Sequence, residues 1–150
     1  MARGLILLAA VLCGIATPLG AAEMPVGKWH VLEADHSDLG HCSATDTVEL
    51  TLTLRRQGRA VAGEYSEIRW REGGHGDCPR MGGYRATYEA ALSPLAGKPG
   101  EYMVELSIRA CRDRAAPHCA ELPKSLTRRL RPAGRRNGIV LGGIFLGRIE

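Results

Sequence analysis

The sequence predicts an all-β fold: an up-and-down antiparallel meander of seven to eight strands that closes into a small barrel carrying two disulfides. Three observations lead there. Apolar residues recur with period two along several segments, glycine, proline and asparagine turns separate those segments, and no stretch has the apolar period of an amphipathic helix. Closure of such a meander removes the exposed edges that invite aggregation, which favours a barrel over a sandwich.

Residues 1–22 read MARGLILLAAVLCGIATPLGAA, with Arg3, an apolar run from Leu5 to Ala16, Pro18 and small residues up to Ala22. This is the pattern of a secretory signal peptide. The run is about 12 residues, short of the roughly 20 that a bilayer-crossing helix needs, so no membrane span is expected. Leu12 stands before Cys13 where a lipid-anchored chain would carry a small residue. Residues 23–150 then form a single domain of ordinary size, with 45% hydrophobic and 24% charged residues, which argues against disorder.

The segment GKWHVLEA supplies an opening strand. In DTVELTLTLRR, Val48, Leu50, Leu52 and Leu54 share one face while Glu49, Thr51, Thr53 and Arg55 share the other, the mark of a strand with one wet side. After the turn RQGR, Val61, Gly63 and Tyr65 stay in phase before the apolar pattern moves to Ile68 and Trp70, which predicts a bulge near Ser66. A second hairpin pairs Tyr84, Ala86, Tyr88, Ala90 and Leu92 with Tyr102, Val104, Leu106, Ile108 and Ala110 across SPLAGKPG. The third joins SLTRRLR to IVLGGIFLGRIE through a turn holding Asn137-Gly138, and an eighth strand arises if Gly142-Gly143 breaks the last one. That final strand is apolar on both faces, with Ile139, Leu141, Phe145 and Ile149 on one and Val140, Ile144 and Leu146 on the other. The second row would be exposed unless it is bulged, covered or used in self-association into a homo-oligomer.

Once Cys13 leaves with the leader, Cys42, Cys78, Cys111 and Cys119 remain, an even number in an exported chain. The preferred pairing is Cys111 with Cys119, closing a short polar loop around Pro117, and Cys42 with Cys78. The gaps of 36, 33 and 8 residues match no zinc spacing, so neither a metal nor another cofactor is expected. The compartment is periplasmic or extracellular.

In a meander, alternate connections share an end. One end gathers the tight turns with Arg55, Arg56, Arg59, Lys98, Arg131, Arg135 and Arg136; the other gathers the connections 35–45, 72–82 and 112–123. From the second group come the candidate binding residues His36, Asp38, His41, His75, Asp77, Arg80 and His118, with Asp35 and Asp113 nearby. Loops crosslinked onto a barrel mouth make a binding surface with little entropy left to lose.

No catalytic residue is assigned. Ser37 lies between His36 and Asp38, but chain neighbours do not point at one another, and no Gly-x-Ser-x-Gly elbow exists. Glu64, Glu67 and Glu89 read as outward carboxylates that serve solubility. The basic turns lack the aromatic platforms of a nucleic-acid site. The leading expectation is an exported, non-catalytic binding protein that engages a protein partner, as an inhibitor of an envelope or extracellular hydrolase. One alternative is a carrier of a small hydrophobic ligand, its cup lined by Trp29, Tyr84, Tyr88 and Tyr102; another is a metal-dependent hydrolase using the loop histidines.

Gly27-Lys28-Trp29, followed by a hairpin whose return strand carries Gly63-x-Tyr65, resembles the start of calycin barrels of the lipocalin and avidin type. The resemblance covers about 45 residues. It implies a ligand cup or a protein-binding mouth, and it transfers no binding residues, because neither the avidin contact pattern nor the full lipocalin motif set is present.

Overall fold

A computed structural model of the chain describes residues 23–76, 78, 81–115 and 117–150, so the leader expected at 1–22 lies outside the described residues. The alternating segments form eight strands: β1 (Gly27–Asp38), β2 (Ser43–Gln57), β3 (Ala60–His75), β4 (Gly82–Pro94), β5 (Tyr102–Arg114), β6 (Ser125–Pro132), β7 (Gly138–Leu141) and β8 (Ile144–Arg148). Each pairs antiparallel with the next, and the order β1 to β8 closes into a barrel. Closure places Trp29 opposite Arg148 and His30 opposite Gly147, and the Ile149 N–H extends it by donating to the Lys28 carbonyl at 2.9 Å.

The eighth strand exists because Gly142 and Gly143 both take positive φ, 56° and 95°, as a two-residue type I′ turn requires. That reversal resets the phase of the last segment. Leu146 now shares the buried inner face with Ile139 and Leu141, while Val140 and Phe145 sit opposite each other outside. The guanidinium of Arg136 lies 5.5 Å from the centre of the Phe145 ring. The outer face of the last hairpin thus carries Val140 and Phe145, opposite each other, and beyond Gly147 also Ile149, 54% exposed, in place of the row Val140, Ile144 and Leu146.

The expected bulge near Ser66 is absent. β2 and β3 stay in unbroken register from Ala44 opposite Gly73 to Gln57 opposite Ala60, so the inward row runs Val61, Gly63, Tyr65, Glu67, Arg69, Arg71. Ile68 and Trp70 face outward instead, with Ile68 only 7% exposed and the Arg114 guanidinium 5.2 Å over Trp70. Glu67 is therefore an inward carboxylate, whereas Glu64 and Glu89, opposite each other on the outer face, keep the expected orientation. Gly63 is required where it stands: a Cβ there would lie 1.8 Å from the Thr53 carbonyl oxygen.

Inside, the layers change character along the axis. Leu54, Val61, Leu92, Val104, Leu106 and Leu130 fill the part nearest the tight turns, and Trp29, Leu52, Tyr65 and Tyr88 form the next layer. Above them lie Val31, Leu50, Glu67, Ala86 and Cys111, then Glu33, Val48, Arg69, Tyr84 and Asp113, then Asp35, Asp46, Arg71 and Gly82. The tight-turn end is covered by residues 23–26: Met24 packs on the core, Glu23 accepts from Arg56 at 2.7 Å, and the Val26 carbonyl accepts from Arg148 at 3.4 Å.

The connections expected as long loops are partly strand: residues 35–38 belong to β1, 43–45 to β2, 72–75 to β3, 82 to β4 and 112–114 to β5. β1 to β5 span 12 to 16 residues, and β6 to β8 only 4 to 8, so one side of the barrel wall rises past the other. Among the described residues, 39–42, then 76, 78 and 81, then 115 and 117–124 lie outside the strands in these connections, and the last stretch holds a 3-10 turn at Cys119–Glu121.

Candidate functional site

The tall end of the barrel presents two features, a crosslinked tip and a groove inside the mouth. At the tip, β1 and β2 pair out to Asp38 opposite Ser43, and β2 and β3 out to Ser43 opposite His75, beyond the last β3–β4 pair at Arg71 and Gly82. The Cys42–Cys78 disulfide joins the two ends, Cα to Cα 5.4 Å, and buries Cys42 and Ala44 with Met81 packed against them. This is a small core separate from that of the barrel. The turn is held by the Leu39 N–H to the Cys42 carbonyl and the Gly40 N–H to Asp38 Oδ1, both 2.9 Å. Gly76 passes so close that a Cβ would stand 2.2 Å from the His41 carbonyl oxygen.

The candidate binding residues divide accordingly. Asp38 and His41 lie in the tip turn, and His75 packs beside it with Nδ1 2.8 Å from Ser43 Oγ. Ser43 is 6% exposed, so this serine–histidine contact orients the ring and offers no hydroxyl to a substrate. His36 projects from the outer face of β1 onto Thr45 at 3.3 Å. His118 stands apart in the mouth, its ring 6.5 Å from that of Tyr84. The four histidines share an end but do not converge, and among the described residues no three His, Cys, Asp or Glu side chains form a metal-ligand set. Asp77 and Arg80 lie outside the described residues.

The mouth holds residues that the sequence reading placed elsewhere. Glu67 Oε1 accepts from the Tyr84 hydroxyl at 2.8 Å and from Arg69 Nε, while Oε2 accepts from the Tyr65 hydroxyl at 3.1 Å. The Glu67 side chain is only 13% exposed, and a carboxylate so buried needs such partners. Burial, together with the Glu67 charge, pushes the phenols of Tyr65, Tyr84 and Tyr88 above the ordinary tyrosine range. One layer higher, Arg71 grips Asp46 through two hydrogen bonds of 2.7 Å, and that grip holds the Asp46 carboxyl below its usual value. Asp46, Val48, Arg69, Arg71, Tyr84 and His118 line a groove of about 420 Å³.

The Cys111–Cys119 bond builds the far wall of this groove. The register shift at Thr87/Tyr88 turns Cys111 inward, and its partner Cys119 brings His118 and Leu122 across the mouth. Asp113 Oδ1 fixes the return by accepting the His118 and Cys119 N–H groups at 2.8 and 2.7 Å. His118 Nε2 is buried and has no hydrogen-bond partner among the described residues.

The four rings proposed for a ligand cup all point inward but do not line one cavity: Trp29 and Tyr102 border a cavity of about 220 Å³ at the tight-turn end, Tyr84 borders the groove in the mouth, and Tyr88, 1% exposed, lies in the core between them. No family model, curated protein or solved structure matches the chain. What the structure shows is the closed antiparallel barrel itself.

Proposed function

We propose that this chain is a non-catalytic binding protein of the periplasm or the extracellular medium, and that it engages a protein partner, an envelope or extracellular hydrolase, as its inhibitor. The observation that carries this reading is the tip. It is a strand-built projection with its own small core and its own disulfide, ending in a turn where Leu39 is 50% exposed beside His41. A segment ordered before binding loses little entropy on association, which is what a surface that enters a partner's cleft needs. Two disulfides also fit a chain that matures in an oxidising compartment. The carrier reading has a smaller foothold, since Trp29 and Tyr102 border a cavity of about 220 Å³ while Tyr84 borders a separate groove, and among the described residues the loop histidines of the hydrolase reading form no metal-ligand set.

The test is a pull-down with the purified, oxidised protein from envelope and culture-supernatant extracts, at low and high salt, beside a Leu39→Ser, His41→Ala double variant. Enrichment of one hydrolase that survives salt, is lost with the variant and is slowed by the added native protein is the expected result. Retention of nothing, or of the same proteins by both forms, would overturn the reading.

A further inference from the structure

We propose that the groove in the barrel mouth is a binding site for a small monocarboxylate carrying a flat apolar body, with the carboxylate on Arg69. The site is separate from the tip. Arg69 projects from β3 into the groove, 44% exposed, and only its Nε is engaged, by Glu67. Glu67 is itself fixed by the hydroxyls of Tyr65 and Tyr84, so the guanidinium is oriented, and among the described residues its two Nη groups carry no hydrogen bond. A planar fork held in place with both outer nitrogens free is the geometry that pairs bidentately with a carboxylate.

Three further features narrow the ligand. Asp46 is paired with Arg71 and Glu67 with Arg69, so a ligand carboxylate is held by the hydrogen-bonding fork of Arg69 and not by an uncompensated charge. Asp35, opposite Asp46 on β1, Glu33, opposite Val48, and Asp113, opposite Tyr84, lie around the same mouth and disfavour more than one negative charge on the ligand. Val48 and the Tyr84 ring supply apolar wall, and His118 Nε2, buried on the opposite side without a partner among the described residues, offers one more polar contact. The volume, about 420 Å³, lies within the range of small-molecule sites. A monoanion with a flat body matches this balance better than a phosphate does.

The experiment is an NMR titration of the oxidised, isotope-labelled protein with benzoate, benzamide and inorganic phosphate in turn. Benzoate is expected to move the Arg69 side-chain signal and the Gly82 and Tyr84 amides saturably, with benzamide moving them at least tenfold less. Arg69→Gln is expected to weaken benzoate about tenfold. Should that variant fail to fold, Arg69→Lys keeps the charge beside Glu67 while removing the fork, and is expected to weaken benzoate at least threefold. Equal response to benzamide, tighter binding of phosphate, or undiminished benzoate binding in the folded Arg69 variant would each overturn the proposal.

Discussion

Glu67 lies one layer above Tyr65 inside the barrel, and its charge is tolerated there because two hydroxyls and one guanidinium replace the water it has lost. Glu67→Gln removes the charge but leaves Arg69 and both tyrosines in place, and is expected to cost about 1–3 kcal/mol in urea unfolding. A variant as stable as the native chain would show that the clamp contributes nothing. The same cluster sets the alkaline limit. The folded phenols of Tyr65, Tyr84 and Tyr88 titrate above the ordinary value of 10.0, so the unfolded chain releases protons that the folded one retains. Their contribution is complete below that value and falls as pH rises through it. Urea midpoints should therefore drop between about pH 9 and about pH 11, and drop less in Tyr84→Phe. At the acid end the sign reverses. Asp46 titrates below 3.8 when folded, so its contribution is present above 3.8 and disappears as pH falls below it; Asp46→Asn should flatten the acid limb of the stability profile.

At the scale of elements, the hairpins were legible because alternation and turn chemistry agreed, as at Leu50, Leu52 and Leu54 and at Gly142-Gly143. Both disulfide pairings were legible, Cys111 with Cys119 as the closure of a short polar loop and Cys42 with Cys78 as the remaining pair, and sorting the connections by end put all four at one end. β3 was not fully legible. A strict period from Val61 would have carried Glu67, Arg69 and Arg71 inside, but Ile68 and Trp70 suggested a phase change, since apolar residues are ordinarily the inward ones. The mouth inverts that rule: above the core its inner face is polar, and the outer pair is shielded by neighbours such as Arg114. Sequence patterning also could not show that strands extend through segments rich in His, Asp and Gly, where pairing with a long neighbour outweighs weak propensity. The tip depends on its crosslink. Because its core is little more than Cys42, Ala44 and Cys78, the Cys42→Ala, Cys78→Ala double variant should raise amide exchange at 39–45 and 72–76 while the barrel strands stay protected. The loss of stability should be roughly 2–4 kcal/mol, and unchanged exchange at the tip would refute the dependence.

For the whole molecule, the meander sorts charge as well as loops. The tight-turn end collects Arg55, Arg56, Arg59, Lys98, Arg131, Arg135 and Arg136, all exposed. Arg56 is paired with Glu23, whereas Arg55, Arg59, Lys98, Arg131 and Arg135 form no ion pair among the described residues. Elsewhere Arg69, Arg71, Arg109, Arg114 and Arg129 are matched, whereas Arg85, Arg112, Arg128 and Arg148 form no ion pair among the described residues but are spread around the barrel. A formal net charge of only +4 for the full chain therefore conceals a molecule with one strongly basic pole, opposite the tip and the mouth. Like charges crowded within a screening length act together on a polyanionic surface, whereas the same charges spread around a barrel do not. Two triple variants separate these cases because each removes the same charge: Arg55→Gln, Arg59→Gln, Arg135→Gln at the pole, and Arg85→Gln, Arg109→Gln, Arg112→Gln on the wall. The pole variant should leave a sulfonated cation exchanger at clearly lower salt than the wall variant, with both still folded by circular dichroism. Equal elution would mean that net charge alone governs retention and that the basic pole does not act as one face.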